Sequence, residues 1–94
     1  MQREAAQALA IQALGFIASD PALLPRFLAI TGIEAGHIRA AAVQPGFMAG
    51  VLQFILAHEP TLLQFAQQAD IDPAEVGRAC NALPLGDGTY ERST

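Results

Sequence analysis

Apolar residues recur every three or four positions along most of this chain, and no stretch alternates with the period of two that marks a half-buried strand. The spacing predicts a first helix from about Glu4 to Ala18, with Ala6, Leu9, Ala10, Ala13, Phe16 and Ile17 on one face. Ile11 and Leu14 widen that stripe, so cover on more than one side is expected. Ser19-Asp20-Pro21 reads as a stop followed by a start, with Asp20 as N-cap and Pro21 in the first turn. Leu23, Leu24, Phe27 and Ile30 then face inward from a second helix, in which Pro25 is awkward because it removes a backbone donor. Gly32 sits where a left-handed residue ends a helix, and Ile33 closes the stop. A short third helix opens at Glu34 or Ala35 and runs to about Ala42, with Ile38 and Ala41 inward.

Val43-Gln44-Pro45-Gly46 breaks the pattern. The fourth helix, about Gly46 to Ala57, is apolar nearly all round, which predicts the most enclosed element of the fold. Gly50 would let a neighbouring helix approach closely. His58-Glu59-Pro60 starts a fifth helix with Leu62, Leu63, Phe65, Ala66 and Ala69 inside, and Asp70 stands at its stop in place of a glycine. Asp72-Pro73 caps a sixth helix to about Leu83, with Glu75 placed for a capping box and Val76, Ala79, Cys80 and Leu83 inward. Pro84 ends it. Residues 1–84 are therefore expected to form a single all-α domain of five or six short helices, and residues 85–94 a flexible tail.

The pattern repeats. Phe16-Ile17 returns as Phe54-Ile55, Asp20-Pro21 as Glu59-Pro60, Leu23-Leu24 as Leu62-Leu63, Phe27 as Phe65, Ile33-Glu34 as Ile71-Asp72 and Ile38 as Val76. Each echoed position is a bulky apolar residue or a helix-start signal, so what recurs is packing, in two similar helix-turn-helix units.

Composition narrows the classes. In 94 residues, 52% are apolar and only 15% charged, leaving apolar surface for which a partner is the natural cover. The net charge of −4, with no lysine among the five basic residues, argues against a broad nucleic-acid footprint or attraction to anionic lipid. Cys80 alone forms no intramolecular disulfide. Glu4, Gln7 and Gln12 spoil the signal-peptide look of the N-terminus, and Pro45, Gly46 and Gly50 interrupt the uncharged run from Ala40 to Ala57. The expected setting is the cytoplasm.

Candidate chemistry is sparse. Neither His37 nor His58 has a second ligand at the spacing that places two on one helix face, so no metal site is expected. His58-Glu59 reads as exposed capping. Cys80 lies on an apolar face without an adjacent base, as a small hydrophobe rather than a nucleophile. No phosphate-binding glycine loop, calcium loop or nucleophile elbow occurs, so neither a cofactor nor an enzyme is expected. His37 with Arg39 is the nearest approach to an anion or acid-base site, and Arg26, His37, Arg39 and Phe47 are the candidate interaction surface. Residues 21–42 also have the spacing of a DNA-reading helix-turn-helix, although Glu34 would repel phosphate.

The run Gly15-Phe16-Ile17-Ala18-Ser19-Asp20-Pro21, with Arg26-Phe27-Leu28, Thr31-Gly32-Ile33, Arg39-Ala40-Ala41, Phe54 and Asp72-Pro73, resembles a small alphaproteobacterial family known as domain of unknown function 3572. The resemblance spans about Gln7 to Leu83 and implies a compact helical protein of the bacterial cytoplasm. It carries no activity and no site residue. The sequence thus leads to a non-catalytic helical module that binds another protein or a second copy of itself. A small DNA-binding regulator is the alternative.

Overall fold

Six α-helices and one 3-10 turn account for the regular structure of residues 1–84, the part of the chain that the computed structural model describes. The tail expected at 85–94 lies outside the described residues. Helix α1 is Arg3–Ala18, α2 Leu23–Thr31, α3 Ile38–Ala42, α4 Phe47–Leu56, α5 Glu59–Ala69 and α6 Pro73–Ala82. No strand occurs among the described residues. Among the described residues no single helix is long and apolar enough to cross a membrane.

The core is built by α1, α4 and α6, which pack extensively on one another, with α5 against α4 and α2 against α1. Ala6, Ala10, Ala13 and Ile17 bring α1 into this core, Val51, Leu52 and Ile55 bring α4, and Val76 and Ala79 bring α6. The alanines on α1 and α6 let backbones approach closely, so the large side chains come mainly from α4 and from Phe27 and Phe65. The prediction that α4 is the enclosed element holds. On α1 the stripe is narrower than expected, because Ile11 is an exposed hydrophobe.

Helix boundaries follow local chemistry. Asp20 Oδ1 accepts hydrogen bonds from the Ala22 and Leu23 amides at 2.8 and 3.2 Å, so it caps a turn that precedes the helix proper. Pro25 then falls at the third residue of α2, where an amide would lack an intrahelical acceptor anyway, and its presence costs no hydrogen bond. Gly32 ends α2 at φ 75°, its amide donating to Leu28 O at 2.9 Å, as the sequence predicts. Asp70 ends α5 at φ 58°, and the Ile71 amide reaches back to Ala66 O at 3.0 Å. Asp72 caps α6 through the Ala74 amide at 2.9 Å, but no return bond from the Glu75 carboxylate completes a capping box.

The two repeat units diverge. The second is two full helices, α5 and α6. In the first, the expected continuous third helix is a 3-10 turn, Ala35–His37, followed by the five-residue α3. Gly36 weakens helix there, and no residue of the turn or of α3 is buried, so packing does not compensate. Ile38 and Ala41 are half-buried rather than core, unlike the echoed Val76. Ile30 departs further: expected to face inward, it is 68% exposed.

Candidate functional site

Phe27 is the aromatic centre from which the most distinctive surface feature is built. Its ring stands edge-on to Phe54 at 5.4 Å and to Phe47 at 6.1 Å, which locks α2 against α4 on one side. Beside this contact lies an open depression. Phe27, Thr31, Ile33, Ala41, Phe47 and Gly50 line an open groove of about 350 Å³. The Gln44-Pro45-Gly46 turn completes the lining. No charged side chain lines it.

Gly50 corrects the sequence reading. No neighbouring helix approaches it: a Cβ added there would meet nothing within 4 Å, and the missing side chain deepens the groove instead. Thr31 contributes no unsatisfied hydroxyl, since its Oγ1 donates to Phe27 O at 2.8 Å and accepts from the Ile33 amide at 3.3 Å. The walls are therefore hydrogen-bonded internally at α2 and present mainly carbon outward.

A second, shallower depression continues past Ile33 and Ala41 to Glu34 and His37. His37 Nδ1 lies 3.9 Å from Glu34 Oε2, both side chains being largely exposed, so water screens the pair. Of the candidate surface residues, Phe47 lines the groove but is half-buried rather than exposed, and His37 borders the adjoining depression. Arg39 and Arg26 are exposed, on α3 and on α2. The four do not converge on one point. Sequence reasoning missed Thr31, Ile33 and Gly50: Thr31 and Ile33 flank the helix stop at Gly32, whereas Gly50 lies within α4.

Elsewhere the polar groups serve structure. His58 Nδ1 lies 2.8 Å from the hydroxyl of Thr61, a buried polar residue in the first turn of α5; His58, not Glu59, occupies the N-cap. Cys80 is buried with its thiol 3.8 Å from Ala49 O, and burial pushes its pKa up against an opposing hydrogen bond with Gln53. Among the described residues no three His, Cys, Asp or Glu side chains are grouped as a metal ion requires. The segment that would read DNA is the 3-10 turn and the five-residue α3, with Glu34 leading it.

Comparison with known proteins gives one match. The sequence model of a family described as "Protein of unknown function (DUF3572)" covers residues 3–86. No curated protein and no solved structure matches the chain.

Proposed function

We propose, for a chain that belongs to the DUF3572 family of proteins of unknown function, the role of a non-catalytic docking module working in the bacterial cytoplasm. The groove between α2 and α4 receives an apolar element of another protein. The observation that supports this is the uncharged groove itself, left open at Gly50 in a chain with only 15% charged residues. A helix laying two or three apolar side chains over Phe47 and Gly50 is the recognition mode that suits such a surface.

The test is site-specific photo-crosslinking in the native host, with a benzophenone side chain at the exposed Thr31. A discrete crosslinked species that Gly50→Leu abolishes is the expected result. No discrete species, or one indifferent to Gly50→Leu, would overturn the reading. Random duplex DNA at low salt is the control ligand, and a gel shift lost on Arg39→Glu would put a DNA-binding regulator in its place.

A further inference from the structure

A cavity of about 150 Å³ opens where the early turns of α1 and α4 meet the end of α6. Val43, Pro45, Met48, Leu83 and Pro84 line it with carbon, and Gln7 and Gln44 are the polar side chains of the lining. No charged residue takes part. Val43 is the most exposed large hydrophobe among the described residues, at 80%, so the described helices leave it uncovered.

The chain that leaves the cavity carries a side chain suited to it. Pro84 belongs to the lining, so Leu85 starts at the rim. Residues 85–94 lie outside the described residues, and their sequence places two large apolar side chains, Leu85 and Tyr90, on either side of Asp87-Gly88. Asp-Gly is a dipeptide favoured in two-residue reversals, whose central positions take positive φ. A reversal there pairs Gly86 with Thr89 and Leu85 with Tyr90, which returns the tyrosine to the level of Pro84. Even without a reversal the cavity is within reach, since six residues extend up to about 20 Å. Its volume suits a benzene-sized ring. Of the two apolar side chains only the tyrosine has a hydroxyl to use the Gln7 and Gln44 amides.

We propose that this cavity is the seat of the chain's own residues 85–90, with the Tyr90 ring against Val43 and Met48 and its hydroxyl hydrogen-bonded to the Gln7 or Gln44 amide. The tail expected from composition is on this reading held as far as Tyr90. The Gln44-Pro45-Gly46 turn lines both the cavity and the groove, so the seated ring also braces part of the groove's lining. The seat itself does not depend on what the groove receives.

Tyr90 is the single tyrosine of a chain without tryptophan, so tyrosine signals report on this ring alone. Nuclear Overhauser spectra of the full chain are expected to show contacts between the Tyr90 ring and the Val43 methyls. Tyrosine fluorescence is expected to resist acrylamide quenching several-fold better than in urea. Val43→Asp, at an exposed position, removes that protection, and so does Gly88→Val, which opposes the reversal. Circular dichroism checks that both variants keep their helices. Absence of the Val43 contacts overturns the inference, as does protection unchanged by either Val43→Asp or Gly88→Val. A Tyr90 ring that contacts Thr31 or Phe47 instead would put the segment in the groove and equally overturn it. Crosslinking from Thr31 that is lost with Gly50→Leu keeps the docking reading standing whether or not Tyr90 is seated.

Discussion

Phe27 of α2 meets Phe54 of α4 edge to face, with ring centroids 5.4 Å apart and planes at 83°. Phe27 is also 1% exposed, so it is the main bolt between α2 and the rest of the core. Phe27→Ala is expected to cost about 3–5 kcal/mol, read from a shifted urea midpoint, and to loosen the groove wall at Thr31. A loss below about 1 kcal/mol would mean that α2 is held by other contacts.

The caps on α2 and α6 give a second prediction. Asp72→Ala is expected to destabilise by about 1 kcal/mol through the lost bond to the Ala74 amide, and Asp20→Ala by a similar amount. Glu75→Ala is expected to have less effect, because its carboxylate returns no bond to the cap. Chemical denaturation of the three variants ranks them.

Asp70 and Gly32 occupy equivalent stops with different side chains. At φ 58°, Asp70 bears a left-handed conformation that glycine adopts without the Cβ clash, so Asp70→Gly is expected to raise the melting temperature. At φ 75°, Gly32→Ala is expected to lower it, corresponding to about 1 kcal/mol.

Gly50 separates stability from binding. Its Cβ would enter open space, and alanine favours helix over glycine by about 1 kcal/mol, so Gly50→Ala is expected to stabilise the fold. A destabilised Gly50→Ala would show that the groove closes in solution.

Cys80 predicts a pH dependence with a defined sign. Burial raises the folded thiol's pKa, so the folded chain keeps its proton where the unfolded chain has lost it. The contribution is complete below the unfolded thiol's value of about 8.5 and disappears as pH rises through the folded value. Urea midpoints should therefore fall on the alkaline side, and Cys80→Ala should flatten that decline. With no lysine in the chain, few other groups titrate there.

Much of this architecture was legible because helix signals are local. Asp20, Gly32, Asp70, Asp72 and Pro84 act on their immediate neighbours, and a reader of the sequence sees those neighbours. Ile30, Ile38 and Gly50 were misread for one shared reason. Periodicity tells which side of a helix is apolar, but whether another element covers that side depends on where the chain returns. The first repeat unit loses its cover when Gly36 and the absence of buried contacts leave only a turn and five helical residues, and the groove is the space so vacated. Arg26 and Phe47 were found on chemical type alone, and the geometry sets them on different surfaces.

The packing of α1 on α6 ties one end of the described chain to the other. Until α6 is in place, α1 lacks one of the two helices it packs on most extensively, α4 being the other. The domain is therefore closed by its first and last described helices together, and a chain truncated at Pro73 should remain more sensitive to protease along α1 than the full sequence although it holds five of the six described helices.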